Sequence, residues 1–121
     1  MTNKEYIKNV LRSESASFNN INERILHGVI GCVTEAGELA DNLKKATFYG
    51  RGIDHQNIKE ELGDLLWYVA LILSEEGWTF EEIMEANIRK LKARYPEQFT
   101  EGGAFDRNIE SEMEALDNGK T

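Results

Sequence analysis

Two acidic pairs restrict how this chain can fold. Glu35 and Glu38 are three residues apart, and Glu61 and Asp64 repeat that spacing after the intervening positions 39–60. On a helix, three residues separate two side chains by about 60° around the axis, so each pair projects both carboxylates from one face. If the two helices run antiparallel, the four carboxylates converge. Unpaired anions in a half-buried site repel one another strongly, so such a fold must turn them towards water or supply cations.

The chemistry of these acids indicates the kind of cation. Carboxylate oxygens are hard ligands that suit Mg²⁺, with Mn²⁺ as an alternative. Gly37 and Gly63 lie inside the two pairs, where a glycine in a helix costs about 1 kcal/mol relative to alanine. We therefore expect close helix–helix packing at both glycines. The alternative, for either pair taken alone, is an acidic helix face that is exposed to water.

Hydrophobic periodicity predicts an all-α fold, because apolar residues recur every three or four positions and no strand pattern is seen. The expected core is four-helix-bundle-like, with a short extra helix at the N- or C-terminal end. The chain is interpreted as one domain, 1–121, with an N-terminal helix and loop (1–20), a core (21–96) and a C-terminal segment (97–121). The predicted helices are a short one before residue 12, three longer ones at about 21–46, 55–76 and 79–94, and a final one at about 106–116.

Local signals indicate the helix ends and the packed faces. Capping boxes are expected at Thr2 and Thr79, an N-cap at Asp54, and breaks at Gly77 and at Gly102-Gly103. Gly28 and Gly31 predict tight packing of the second helix. The apolar stripes expected to be buried are Ile25, Val29, Cys32, Ala36, Leu39 and Leu43 on the second helix, and Ile58, Leu62, Leu65, Val69 and Ile72 on the third.

Composition narrows the class of protein. A chain that is 40% hydrophobic and 30% charged is typical of a folded domain, and a net charge of −8 argues against nucleic acid or an anionic membrane as partner. The single cysteine, Cys32, is expected to be a buried thiol in a reducing compartment. Residues 1–8 do not have the pattern of a signal peptide, and no apolar run is long enough to span a membrane. A cytoplasmic protein is expected.

Three polar residues interrupt the apolar pattern of the fourth helix. Asn87, Lys90 and Arg94 share a stripe with Ile83. Their functional interpretation is that Asn87 contacts a sugar or base, while Lys90 and Arg94 face phosphate. The alternative is that the Asn87 amide has hydrogen-bond partners within the protein, and that the aliphatic parts of Lys90 and Arg94 pack there while their charged ends reach solvent.

Two further candidates come from the second helix. His27 lies eleven residues before Glu38, at nearly the same position around the axis, and is a candidate contact for a substrate base or ribose. Lys44 and Lys45 follow Glu38 by about two turns and are candidate phosphate ligands. The alternatives are a packed or exposed histidine and lysines that meet solvent at a helix end.

Other metal and nucleotide sites do not fit the spacing. A ferritin-like di-iron site needs Glu-x-x-His, but His27 and His55 are preceded at that distance by Arg24 and Gly52. One cysteine and two distant histidines do not make a zinc site. The sequence also has no glycine-rich phosphate loop.

Three segments together resemble a known family. They are Glu35–Glu38, Glu60–Trp67 and Asn87–Pro96, and they resemble the MazG-like all-α NTP pyrophosphohydrolases. The pattern of that family is E-x-x-E, a variable gap, E-x-x-D, and then an Asn and a Lys on a later helix. The resemblance extends over about residues 27–96.

This resemblance implies an activity and a site. It implies a helical bundle that assembles as a homodimer or homotetramer and cleaves a nucleoside triphosphate between its α- and β-phosphates, giving a monophosphate and pyrophosphate. Glu35 or Glu38 is the expected general base, and His27 and Trp67 are candidates for the base pocket. The expected Mg²⁺ ligands are Glu35, Glu38, Glu61 and Asp64.

The substrate and one alternative function stay open. Canonical (d)NTPs, damaged nucleotides, dUTP or dCTP, phosphoribosyl-ATP and alarmones all fit the resemblance, with nucleotide-pool house-cleaning as the expected role. The alternative is a non-catalytic acidic helical module that binds a protein partner or senses a nucleotide. The net charge of −8 and the acidic segment 110–117 favour that alternative.

Overall fold

The computed structural model describes residues 1–14, 21–105 and 107–117, and in these residues the chain is all-α, as predicted. The described part contains no strand. The predicted loop at 12–20 lies largely outside the described residues, but its first two positions, Arg12 and Ser13, belong to the last turn of α1, so the prediction is wrong there. The helices of the described part are α1 (Asn3–Ser13), α2 (Ile21–Phe48), α3 (His55–Glu76), α4 (Phe80–Arg94), α5 (Glu101–Phe105) and α6 (Ile109–Asp117).

Four helix ends have the predicted caps, among them the start of α4, where the Thr79 hydroxyl accepts the Glu82 N–H at 3.1 Å. The Thr2 hydroxyl accepts the Glu5 N–H at 3.1 Å, and the Glu5 carboxylate accepts the Thr2 N–H at 2.7 Å, which completes the capping box. The Asp54 carboxylate accepts from the N–H of Asn57 at 3.0 Å at the start of α3. Gly77 ends α3 in the left-handed conformation, with φ 76°. These predictions are confirmed.

The first compact unit, Met1–Gly77, is built on an antiparallel pair of helices, α2 and α3. The direction follows from the contacts, since Gly28 meets Ile72 whereas Asn42, later on α2, meets Asn57, earlier on α3. A Cβ on Gly28 would lie 2.7 Å from Ile72 Cγ1, and one on Gly31 would overlap the Tyr68 ring. The tight packing predicted at Gly28 and Gly31 is therefore confirmed.

Gly37 and Gly63 do not lie in a close contact within the described residues. A Cβ at either position would meet no atom within 4 Å, so the predicted helix–helix packing at these glycines is wrong for the single chain. Helix geometry supplies the reason, because Gly37 lies about 100° or more around the axis from both Glu35 and Glu38. When those acids face α3, the glycine between them faces away from it.

The apolar stripes are buried only in part. Among the described residues, the buried apolar side chains are Val10, Ala70, Leu71 and Leu73, and α3 supplies three of them because α1 and α2 both pack against it. Helix α2 has α3 as its main neighbour, so much of its surface stays open. Cys32 is half-buried rather than buried, and four residues expected in the core are exposed: Val29 (47%), Ala36, Leu43 (49%) and Leu62 (47%).

The second compact unit, Trp78–Thr121, packs α4 against α6. Glu112 on α6 is 2% exposed and binds Arg94 Nε at 2.7 Å and Arg107 at 2.6 Å. The C-terminal helix predicted at about 106–116 is present as α6, whereas the short helix α5 before it was not predicted. Gly102 and Gly103 lie inside α5 rather than breaking the chain, since the Thr100 hydroxyl accepts the Gly103 N–H at 3.0 Å and caps that turn.

No helix in the described ranges has both the length and the apolarity that a membrane crossing requires.

Candidate metal centre and flanking cavities

Three of the four predicted acids converge between α2 and α3. Glu35, Glu38 and Glu61 each place one carboxylate oxygen within 4.8 Å of the other two. The antiparallel direction of the helices produces this cluster, because it brings the face of the first acidic pair against Glu61. Asp64 follows one turn later on α3 and is not in this group. Its negative charge is nevertheless near enough to raise the pKa of Glu35 and Glu38.

The cluster contains buried oxygens that lack hydrogen-bond donors. Glu61 is 5% exposed, and Asn57 donates to its Oε1 at 3.2 Å. Among the described residues, Glu35 Oε2 and Glu61 Oε2 are buried without a hydrogen-bond partner. A buried anionic oxygen left without a partner is costly. An all-carboxylate donor set with unpartnered oxygens fits a hard divalent cation such as Mg²⁺.

Contacts between the carboxyl groups also shift the pKa values of the cluster. The hydrogen bond with Glu61, burial, and the charges of Glu38, Glu61 and Asp64 raise the pKa of Glu35 to about 7. Contact with Glu61 likewise raises the pKa of Glu38, whereas the hydrogen bonds with Glu35 and Glu38 lower the pKa of Glu61. Glu35 therefore keeps its proton to a higher pH than an isolated carboxyl does, and a bound cation would displace that proton.

One cavity lies beside Glu38 and Glu61, towards the α2–α3 connection, and is called here the loop-side cavity. It has a volume of about 560 Å³, and two cations, Lys45 and Arg51, are among its lining residues. Lys45 pairs with Asp41 at 2.7 Å. Of the two lysines named from the sequence, Lys45 lines this cavity, whereas Lys44 is exposed and is not among the lining residues.

An amide network holds the wall of the loop-side cavity. Asn42 Nδ2 donates to the Asp54 carbonyl at 2.8 Å and to Asn57 Oδ1 at 3.0 Å, and Asn57 Nδ2 in turn donates to Glu61. The Asp54 N–H donates to Asn42 Oδ1 at 3.2 Å. Sequence reasoning missed Asn42 and Asn57. The available signal was the position of Asn57 four residues before Glu61, where helix side chains meet.

A second cavity lies on the other side of the carboxylates and is called here the aromatic cavity. It has a volume of about 290 Å³ and is lined by Glu35, Asp64, Trp67 and Tyr68. The Trp67 and Tyr68 rings meet edge to face, with centroids 5.0 Å apart, and His27 lies 5.5 Å from Tyr68 and 6.4 Å from Trp67. The structure thus brings together the two base-pocket candidates, His27 and Trp67.

Two contributors to the aromatic cavity were not found from the sequence. Tyr68 lines the cavity directly. The Ser13 hydroxyl accepts the Trp67 indole N–H at 2.8 Å and so fixes the orientation of that ring. Tyr68 was detectable as the neighbour of Trp67, whereas the contact with Ser13 spans 54 residues and leaves no local pattern.

The other candidate substrate ligands lie on α4, in the second unit. Asn87 is exposed and Lys90 is half-buried. The Arg94 guanidinium is bound to the Glu112 carboxylate through both Nε and Nη2, at 2.7 and 3.3 Å. Of the three, Arg94 therefore already has an anionic partner.

Comparison with known proteins agrees with this geometry. Residues 26–99 match the model of the MazG nucleotide pyrophosphohydrolase domain. The chain is also similar to the Gene 37 protein of Mycobacterium phage L5, with 28% identity over 89 residues that cover 70% of this chain and 78% of the phage protein. No solved structure gives a significant match. The matched segment contains both acidic pairs and all of α3 and α4, and the chain belongs to the MazG nucleotide pyrophosphohydrolase family.

Proposed function

We propose that the protein is a Mg²⁺-dependent nucleoside triphosphate pyrophosphohydrolase, with Mn²⁺ as a possible substitute, that converts a (d)NTP into a (d)NMP and pyrophosphate. Its expected role is house-cleaning of the nucleotide pool. The observation that most supports the proposal is the convergence of Glu35, Glu38 and Glu61 with two buried, unpartnered carboxylate oxygens. Family membership supports the same reaction class.

The acidic cluster would hold the metal and prepare the attacking water. Glu35, Glu38 and Glu61 are the proposed ligands, with Asp64 as the fourth. When bound, Mg²⁺ supplies the positive charge that offsets the triphosphate and the developing charge of the leaving pyrophosphate. Either Glu35 or Glu38 accepts the proton of the water that attacks the α-phosphorus.

The nucleoside end of the substrate is proposed to occupy the aromatic cavity. His27, Trp67 and Tyr68 form a cluster of rings next to Glu35 and Asp64, and aromatic rings stack or meet edge to face with nucleobases. The hydrogen bond from Trp67 to Ser13 restrains one of these rings before substrate arrives. Restraint of this kind lowers the entropy lost on binding.

Residues of α4 and the end of α2 are proposed to contact sugar and phosphate. Asn87 and Lys90 offer an amide and an ammonium group for this role, and Lys44 a second ammonium. Arg94 can join them only by exchanging the Glu112 carboxylate for a phosphate oxygen, because its guanidinium is already paired. We therefore expect Arg94 to contribute less to substrate binding than Lys90.

A homodimer or homotetramer is proposed as the active form. On α2, Leu26, Ile30 and Val33 are 56%, 52% and 68% exposed and share one face. On α3, Leu62 and Leu66 are 47% and 49% exposed. Contiguous exposed apolar side chains of this kind mark a surface that a second polypeptide covers.

The proposal is tested by incubating the protein with a panel of NTPs and dNTPs and measuring pyrophosphate and orthophosphate separately. Pyrophosphate is the expected product, EDTA should abolish its release, and Glu38→Gln should lose most of the activity. Glu60→Gln, which alters an exposed neighbouring acid, is the matched control and should keep it. Release that persists in EDTA, or release of orthophosphate, would contradict the proposal.

The non-catalytic alternative makes a different prediction for thermal melts. Mg²⁺ with a nucleotide should raise the melting temperature of an enzyme that binds both. A non-catalytic module, whose acidic residues only cover its surface, should have the same melting temperature with and without Mg²⁺ and the nucleotide.

A further inference from the structure

We infer that the triphosphate lies along the α2–α3 pair with its polyphosphate end in the loop-side cavity, where Arg51 binds the leaving pyrophosphate. This inference rests on the proposed function and adds the direction of the substrate. It also adds one phosphate-binding residue, Arg51, which lies outside the acidic motifs on the connection from α2 to α3.

The first step of the argument is the position of the two cavities. Along α2, Glu35 lines the aromatic cavity and Glu38 lines the loop-side cavity. Along antiparallel α3, Asp64 lines the aromatic cavity and Glu61 lines the loop-side cavity. The two cavities are thus lined by different members of the same group of acids, and no described residue lines both. A substrate whose reacting phosphorus lies at these acids can therefore extend one end into each cavity.

The second step is the charge of each cavity. Lys45 and Arg51 line the loop-side cavity, whereas the residues that line the aromatic cavity are two acids and two aromatic rings, without a cation. A pyrophosphate group is a concentrated anion and needs positive charge or N–H donors. The aromatic cavity offers a surface for a nucleobase and no described cation for phosphate. The loop-side cavity is the better match for the polyphosphate.

The third step accounts for the acids that also line the loop-side cavity. Asp41 is compensated by Lys45, at 2.7 Å, and Asp54 caps α3 through the Asn57 N–H. Glu38 and Glu61 belong to the proposed metal centre. Arg51 differs from Lys45, because its guanidinium makes no ion pair with any described carboxylate. Arg51 is therefore the cation that is free to take an anion at this end.

The fourth step is the turn that brings Arg51 to the cavity. Gly50 has φ 67°, which favours glycine. The N–H groups of Tyr49 and Arg51 both donate to the Lys45 carbonyl, at 3.1 and 3.4 Å. The chain thus folds back over the last turn of α2, so that Arg51 and Lys45 line the same cavity. A planar guanidinium in that place can bind two phosphate oxygens at once.

Product inhibition tests the inference. Inorganic pyrophosphate and the nucleoside monophosphate are each added to the wild-type protein, to Arg51→Met and to Lys59→Met, which removes an exposed cation of α3 that does not line the cavity. Loss of one charge-assisted contact should raise the inhibition constant for pyrophosphate about tenfold or more in Arg51→Met. The inhibition constant for the monophosphate in Arg51→Met should stay within about twofold of that in Lys59→Met. A difference of that size corresponds to a small free energy of binding.

Two further variants complete the test. Arg51→Lys retains the charge and should lie between wild type and Arg51→Met, whereas Trp67→Leu should weaken inhibition by the monophosphate and not by pyrophosphate. Pyrophosphate inhibition that is the same in Arg51→Met and Lys59→Met would overturn the inference. Weaker monophosphate inhibition in Arg51→Met together with weaker pyrophosphate inhibition in Trp67→Leu would also overturn it. In both cases turnover by the wild type leaves the proposed function standing. No turnover of any triphosphate would contradict the proposed function and the inference together.

Discussion

Asn57 donates its side-chain amide to Glu61 Oε1 at 3.2 Å, one helical turn before that carboxylate on α3. Its own Oδ1 accepts from Asn42 on α2 at 3.0 Å, so both helices restrain it. The bond satisfies one oxygen of a carboxylate that is 5% exposed and leaves the other unpartnered among the described residues. Asn57 therefore restrains the Glu61 carboxylate within the acidic cluster.

Asn57→Ala should weaken Mg²⁺ binding without removing a proposed ligand. Residues that orient a metal ligand typically change metal affinity by about 10- to 100-fold when they are replaced. Mg²⁺ titration by calorimetry measures the loss. Gln56→Ala, an exposed neighbour on α3, is the control and should bind as the wild type does. Equal affinity in Asn57→Ala and Gln56→Ala would show that the amide does not position Glu61.

Replacing either of two glycines of α2 by alanine should change the stability of the fold, in opposite directions at the two positions. Gly31→Ala places a methyl group in the Tyr68 ring and should destabilise the fold by about 1–3 kcal/mol, as overpacked cores do. Gly37→Ala meets open space within the chain and should stabilise the helix by up to about 1 kcal/mol. Urea denaturation of both variants measures the difference. A loss of stability in Gly37→Ala comparable to that in Gly31→Ala would mean that another subunit packs against Gly37.

Val33→Glu should weaken the proposed oligomer. Val33 is 68% exposed and shares its face of α2 with Leu26 and Ile30, so a charge there would be buried without a partner if a second subunit covers the face. Light scattering after size exclusion should give a dimer or tetramer for the wild type and a smaller mass for the variant. Thr47→Glu, an exposed position near the end of the same helix, should leave the mass unchanged. A monomeric wild type would contradict the proposal.

Acid should destabilise the second unit through Glu112. The hydrogen bonds from Arg94 and Arg107 lower the pKa of Glu112 from 4.5 to about 2. A carboxyl with a lowered folded-state pKa contributes stability that is present above its unfolded pKa and is lost as the pH falls through the folded value. Thermal stability should therefore fall between about pH 4.5 and pH 2. Glu112→Gln should be less stable at pH 7 and should show a smaller loss over that range. An identical pH profile for both proteins would exclude Glu112 as the cause.

The helices were predictable because their signals are local. These signals are the caps at Thr2 and Asp54, the helix end at Gly77 and the apolar periodicity. Each of them involves residues within a few positions of one another. The bounds of α3 follow directly from them. The convergence of Glu35, Glu38 and Glu61 was also predictable, since it needs only a spacing of three and an antiparallel neighbour.

What the sequence did not provide depends on packing between distant residues. The direction in which Gly37 faces follows from which face of α2 meets α3, and the exposure of Leu62 depends on how little of α3 is covered at that point. Ser13 meets Trp67 across 54 residues. The absence of Asp64 from the close group of acids is likewise set by the depth of the α2–α3 contact, which spacing alone does not give.

The most direct test of the central claim is calorimetric titration of Mg²⁺ into the wild-type protein and into Glu61→Gln, each in the presence of a non-hydrolysable triphosphate. Glu61 is the most buried acid of the cluster. Saturable binding by the wild type and a loss of about 10-fold or more in affinity for Glu61→Gln are the predicted result. Binding of equal strength in the two proteins would contradict the claim that these carboxylates form a metal centre.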